Sequence, residues 1–227
     1  LLILNAGTSG MALDKHNGRV VWQNGEEATG YATPVPYNMD GQDCVALLNI
    51  SSIVGLKPDN GQKLWQIDWT TRYDENSTDP IVHGDYVFIS TGNNTGCALF
   101  RIEDGKPRQL WKNRAMSNQF NNSVLWNGFL YGFNRSKLRC LEFQTGVVKW
   151  TKDGLGMGSL MCADGKLIIL SEKGKLVIAP ADPEKFEVIS QAQILRGKCW
   201  TVPVLSGGRI YARNARGDLV CVDVSKK

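Results

Sequence analysis

One hairpin pattern recurs along the chain. Ala12-Leu13-Asp14-Lys15-His16-Asn17-Gly18-Arg19-Val20-Val21-Trp22 returns as Gly55-Leu56-Lys57-Pro58-Asp59-Asn60-Gly61-Gln62-Lys63-Leu64-Trp65 and again as Cys140-Leu141-Glu142-Phe143-Gln144-Thr145-Gly146-Val147-Val148-Lys149-Trp150. In each copy a glycine stands four residues before a tryptophan, between two strand-like runs. A looser copy, Ile102 to Trp111, carries two extra residues between Gly105 and the tryptophan, which predicts a lengthened hairpin loop. Trp22, Trp65, Trp111 and Trp150 therefore follow one another at 43, 46 and 39 residues.

A period of about 40 residues marks a repeat architecture, and units made of short strands point to propeller blades. The turn residues agree, because Asn17-Gly18 and Asn60-Gly61 tolerate the positive φ angles that tight hairpins demand. A tryptophan at a fixed place on the last strand of each unit can bury its ring against the next unit. The fold class expected is all-β, a β-propeller of four-stranded antiparallel blades. The composition fits: 24 glycines in 227 residues suit a turn-rich β protein.

The strand pattern divides residues 1–227, read as a single propeller domain, into blades at about 1–23 (partial), 30–66, 78–112, 121–151, 158–191 and 200–225 (partial). The second unit opens at Tyr31 to Val35. In the fifth, an aliphatic near Ile189 stands where tryptophan is expected. Three strands at the front, four full units and three at the end predict an incomplete ring of about five and a half blades. The end units cannot share one closing blade, because they offer six strands for four places. Leu1-Leu2-Ile3-Leu4 has no initiating Met and no basic residues before it, and reads as an interior strand rather than a signal peptide. Upstream sequence is expected to supply the missing strands.

Several function classes are disfavoured. The formal net charge is only +4 and the basic residues are scattered, so nothing asks for nucleic acid. No apolar run approaches the roughly 18 residues of a membrane-spanning helix. Cys44, Cys97, Cys140, Cys162, Cys199 and Cys221 stand singly, and His16 and His83 are the only imidazoles, so a metal site of closely spaced thiolates and histidines is not expected. Sequons at Asn49 and Asn121 read as turn asparagines.

The outline A-x-D-x-x-x-G-x-x-x-W, complete at Ala12, Asp14, Gly18 and Trp22, resembles the tryptophan docking motif of pyrroloquinoline-quinone-type (PQQ-like) β-propellers. Gly61, Trp65, Trp111, Gly146 and Trp150 continue it, while Lys57 and Glu142 depart from the aspartate the family prefers. Stretches such as Gly30-Tyr31-Ala32-Thr33-Pro34-Val35-Pro36 and Lys198-Cys199-Trp200-Thr201-Val202-Pro203-Val204 are similar to exported PQQ-like propellers of planctomycetes and related bacteria. The resemblance implies eight blades in the full ring and a periplasmic or secreted location. It also implies a choice between two functions. One is a non-catalytic scaffold or binding module, as in the outer-membrane assembly lipoprotein. The other is a quinoprotein dehydrogenase holding PQQ with Ca²⁺, which in that family needs a disulfide between adjacent cysteines and a set of acidic ligands. No adjacent cysteines exist, and the residues opening the inner strands supply one carboxylate, Asp79, so the reading leans away from an enzyme. Those opening residues, Tyr31, Thr33, Asp79, Asn122, Ser159 and Trp200, are the candidates for contact with a protein partner or small ligand at the funnel. No catalytic and no metal residues are assigned.

Overall fold

The recurring hairpin forms the last two strands of a sheet, and the strands before it complete a meander. The computed structural model describes residues 1–25 and 27–225. Its first sheet has three strands, β1 (Leu2–Leu4), β2 (Met11–Leu13) and β3 (Val20–Gln23), in the order β1-β2-β3. Four four-stranded antiparallel sheets follow. They are β4 (Val35–Met39), β5 (Gln42–Leu48), β6 (Ser52–Leu56) and β7 (Lys63–Asp68), then β8 (Ile81–His83), β9 (Tyr86–Thr91), β10 (Gly96–Glu103) and β11 (Lys106–Asn113). Next come β12 (Val124–Trp126), β13 (Phe129–Asn134), β14 (Lys137–Glu142) and β15 (Val148–Lys152), then β16 (Ser159–Ala163), β17 (Lys166–Leu170), β18 (Lys175–Pro180) and β19 (Ser190–Gln193). A separate three-stranded sheet closes the order with β20 (Val204–Ser206), β21 (Arg209–Arg213) and β22 (Leu219–Asp223). The chain divides into two compact units, Leu1–Gln119 and Phe120–Lys227.

One cross-strand row recurs in every sheet. It reads Ile3, Ala12, Trp22 in the first, Val35, Ala46, Gly55, Trp65 in the second and Ile81, Phe88, Leu99, Trp111 in the third. It continues as Val124, Tyr131, Cys140, Trp150, Met161, Ile168, Ile178, Ser190 and Val204, Tyr211, Cys221. Each of the four tryptophans stands beside a β-bulge, at Ala12/Leu13, Gly55/Leu56, Leu99/Phe100 and Cys140/Leu141. A bulge increases local twist and re-aims the side chain next to it, here the indole. In the fifth sheet Ser190, rather than an aliphatic near Ile189, holds the tryptophan position, and the pairing of β18 with β19 runs without a bulge. Ile189 itself, just before β19, is 58% exposed.

The third hairpin also differs from expectation. The two residues added between Gly105 and Trp111 lengthen the strands, not the loop. Glu103 pairs directly with Lys106 across Asp104 and Gly105, whose φ angles of 50° and 72° suit a two-residue turn. In the other three hairpins the loop backbone is shared whatever the side chain. The amides of Gly18, Gly61 and Gly146 each donate to the carbonyl four residues back, at Asp14, Lys57 and Glu142. Loss of the aspartate at Lys57 and Glu142 thus leaves the loop intact. The second inner strand begins at Val35, not Tyr31, because the Tyr31 and Thr33 amides donate to Asn76 O and Asp79 Oδ1 rather than to a neighbouring strand.

Apolar side chains meet between successive sheets within each unit. In the first unit, Ala12, Trp22, Val45, Leu47, Val54 and Leu56 form one layer, and Ala46, Ile53, Trp65, Ile67, Val87 and Ile102 belong to the next. In the second unit Tyr131, Phe133, Cys140, Leu160, Leu167 and Val177 pack as a third, and Leu170, Leu195, Cys199 and Ala212 as a fourth. The tryptophans reach into these layers. The Trp22 indole N–H donates to the Pro58 carbonyl at 2.7 Å, and its ring lies so close to Gly61 that a Cβ there would come within 2.7 Å of it. The Trp150 indole donates to the Asp182 carbonyl at 2.9 Å and packs against Phe186, with ring centroids 5.5 Å apart.

Candidate functional site

In each four-stranded sheet the first strand starts at the same end as the loop joining the second and third strands. That end collects the non-repetitive segments, and backbone-directed side chains hold them. Asn5 Nδ2 donates to the carbonyls of Ala32 and Leu48, both at 3.0 Å, and Asn76 Nδ2 to those of Asn49 and Ile50 at 2.8 and 2.9 Å. Asn121 Nδ2 donates to Gly158 O, and Asn214 Nδ2 to Arg196 O at 2.9 Å. Asn49 does stand in the turn between β5 and β6, its amide donating to Ser52 O at 2.8 Å, but its side chain is buried, as is that of Asn121. Gly158 is required where it stands, since a Cβ would lie 2.7 Å from Leu170 O and 2.8 Å from the Phe133 ring.

In the first unit the structure brings Tyr31, Thr33 and Asp79 together. The Thr33 amide donates to Asp79 Oδ1 at 2.7 Å, and the Tyr31 amide to Asn76 O at 2.8 Å. The Tyr31 side chain is 80% exposed. Tyr73, which sequence reasoning passed over, is also exposed, with the Arg72 guanidinium 5.2 Å from its ring centroid, and Asn93 donates to Glu75 Oε2 at 2.9 Å. These segments therefore present two tyrosine rings among mixed charges.

Glu27 is a second group that no sequence pattern marks out. Its Oε1 accepts from the Ser51 amide at 2.6 Å and the Ser51 hydroxyl at 2.5 Å, and its Oε2 from the Ser52 hydroxyl at 2.6 Å. Burial acts to raise its pKa, but the hydrogen bonds from Ser51 and Ser52 outweigh that and hold it below the ordinary carboxylate value. A carboxylate so occupied is a weak base and a strong fastener. It borders a cleft of about 430 Å³ lined by polar groups that include Ser9, Asn24, Asn60, Gln62 and Gln66.

In the second unit Trp200 lies at the centre of a built cluster. Its ring centroid is 4.3 Å from that of Phe120, and Lys198 Nζ is 3.9 Å from the indole centroid. The indole N–H donates to Glu172 Oε1 at 3.2 Å, while Glu172 Oε2 accepts from the Met157 amide at 3.2 Å. Ser159 adjoins this cluster but is fully buried, its hydroxyl donating to Thr201 O at 2.8 Å, so it joins two segments and faces no solvent. Asn122 is half-buried on the segment that leads into β12.

The reactive inventory is quiet. Burial raises the thiol pKa of Cys44, Cys162 and Cys199 and pushes Cys140 up to about 12, so none is a ready nucleophile. Among the described residues no disulfide forms, and no group of three or more His, Cys, Asp or Glu side chains is arranged to hold a metal ion. Among the described residues no helix is long and apolar enough to cross a membrane. What the loop end offers is aromatic and charged surface on pinned backbone.

Residues 1–152 match the family described as outer membrane protein assembly factor BamB. The chain belongs to this family. No match arises among curated proteins. Among solved structures, BamB from Moraxella catarrhalis superimposes with a TM-score of 0.74 at 18% identity, over 96% of this chain and 68% of that one. The computationally designed protein Ika8 does so with a TM-score of 0.70 at 8% identity, over 96% of this chain and 66% of its own. At such identities the likeness is one of fold: an all-β, BamB-like propeller of which this chain spans about two thirds.

Proposed function

We propose that this chain is a non-catalytic binding or scaffold module of the bacterial envelope, and that it engages a protein partner through the loop end of its sheets. The observation that carries the reading is the pairing of exposed or half-exposed aromatic residues, Tyr31, Tyr73 and Trp200, with loops fastened by the buried Asn76 and Asn214 and the half-buried Asn5. Rigid aromatic side chains on pre-ordered backbone lose little entropy when a partner docks, and such residues dominate interface energetics. Membership of a family described as an outer membrane assembly factor supports both the envelope location and the protein partner. Asp79 and Thr33 take the role of holding the segment that carries Tyr31, and Asn122 lies on the corresponding segment of the second unit.

The residues do not fit a quinone cofactor. In the quinoproteins that this chain resembles the quinone stacks on a disulfide between adjacent cysteines, and the six here stand apart in sequence. Affinity purification from gently solubilised envelopes tests the reading. The wild-type chain should retain a protein in stoichiometric amount that a Tyr31→Ala/Trp200→Ala variant of unchanged fold loses. Equal retention by both would place the partner elsewhere and refute the loop-end assignment.

A further inference from the structure

The loop end of the second unit concentrates positive charge. Lys173, Arg196, Lys198, Arg213 and Arg216 are all exposed, and among the described residues none of them forms an ion pair. They lie on three loops tied to one another. Gln193 Nε2 donates to the Lys173 carbonyl at 2.7 Å, the Ala215 amide to the Lys198 carbonyl at 2.8 Å, and the Cys199 amide to the Glu172 carbonyl at 2.8 Å. A Cβ on Gly197 would stand 3.8 Å from Arg216 Nε, and the Thr201 hydroxyl donates to the Arg213 carbonyl at 3.3 Å.

Two carboxylates share these loops, and both are turned to neutral donors. Glu172 accepts from the Trp200 indole and the Met157 amide, and Asp218 Oδ2 accepts from Asn214 Nδ2 at 2.6 Å. Neither carboxylate pairs with a cation, and five cations against two carboxylates leave the surface net positive, on backbone that is already ordered. Between the strands the loops carry no protruding leucine, phenylalanine or isoleucine. The exposed large apolar side chains from residue 193 to residue 219 are Val202, Val204 and, at the first position of β22, Leu219, too few to insert into a lipid surface as an apolar face. Trp200 offers a half-buried indole beside the charges, which suits a polypeptide that has both side-chain charge and apolar groups.

We infer that this surface binds an acidic segment of a polypeptide. The inference rests on the partner-binding reading above and specifies the chemistry of the partner's contacting segment. Complementary charge of this kind steers association and weakens as salt screens it beyond the Debye length of about 8 Å at physiological ionic strength.

The test is fluorescence anisotropy with a labelled oligoglutamate peptide, an oligoglutamine peptide of equal length, and vesicles containing phosphatidylglycerol. The wild-type chain should bind oligoglutamate and not oligoglutamine. Arg196→Glu/Arg216→Glu should weaken binding on the order of tenfold per reversed charge, and Lys173→Glu should do so independently. Lys15→Glu/Arg19→Glu changes the net charge equally on the hairpin between β2 and β3, and should leave binding unchanged. Equal losses for the two double variants would reduce the effect to net charge and overturn the inference. Binding to vesicles without binding to oligoglutamate would overturn it as well. If the envelope partner is retained undiminished by Arg196→Glu/Arg216→Glu, the acidic-segment inference fails while the partner reading stands.

Discussion

Replacing Trp65 by alanine examines the packing logic where it is most fully developed. The indole is 3% exposed and lies in the layer shared by the second and third sheets, with Ala46, Phe100 and Ile102 in the same cluster. Its N–H donates to the Tyr37 hydroxyl at 2.9 Å, and the two rings tilt at 49° with centroids 6.3 Å apart. A buried tryptophan removes about 150–250 Å² from water, worth about 4–6 kcal/mol at 25 cal/mol per Å² as an upper bound. Measured aromatic-to-alanine losses run at about 3–5 kcal/mol, and the orphaned phenol adds about 1 kcal/mol. A loss of about 4–5 kcal/mol is expected. Trp65→Phe keeps most of the ring but not the donor, and should lose about 1–2 kcal/mol. Trp150, partly exposed, should lose less than Trp65 on truncation, about 2–3 kcal/mol. Guanidinium unfolding followed by far-ultraviolet circular dichroism measures these values. The slope should be checked between variants, because repeat arrays can unfold piecewise. A loss under about 1 kcal/mol for Trp65→Ala would show that the recurring tryptophans do not carry inter-sheet packing, and would undo the argument.

Gly61→Ala should destabilise by about 1–3 kcal/mol by the same measurement, since φ there is +71° and the added methyl meets the Trp22 ring. The Glu27 carboxyl, held below its unfolded value, contributes stability that is present above that value and disappears as pH falls through the folded one. Chemical denaturation at stepped acidic pH should show that drop in the wild type and a smaller one in Glu27→Gln. Ser159→Ala should lose about 1 kcal/mol of stability, as the Thr201 carbonyl gives up its hydroxyl donor. Addition of PQQ with Ca²⁺ should produce no dye-linked oxidation of alcohols or sugars, and activity restored by the pair would reverse the functional ranking.

The sheets were legible because two signals coincide in the sequence: alternating apolar strands, and a tryptophan placed at a fixed distance after a turn glycine. Both are local. The third hairpin misled because adding residues between Gly105 and Trp111 is compatible with a longer loop or longer strands. The choice fell to the Asp104-Gly105 turn, whose positive φ angles allow the tighter connection. Ser190 was hidden because a strand that has lost its ring leaves no landmark for the register. At the loop end, Trp200 and Asp79 were visible as residues opening the inner strands. Glu27 and Glu172 were not, since their partners, Ser51 and Ser52 for one and Trp200 and Met157 for the other, lie 15 to 28 residues away and are joined only by folding. The buried asparagines show the same limit: Asn49 and Asn121 carry turn chemistry in the sequence, and only the packed structure turns their side chains inward.

The claim that the loop ends of the sheets, in each unit, are where a partner docks meets its most direct test in a photo-crosslinking scan in intact cells. A photoreactive residue would be placed in turn at Tyr31, Tyr73 and Trp200, and at Asn127 and Gly128, in the turn between β12 and β13 at the opposite end of that sheet. The account predicts a discrete protein adduct from the first group and none from Asn127 or Gly128. Adducts confined to Asn127 and Gly128 would contradict it.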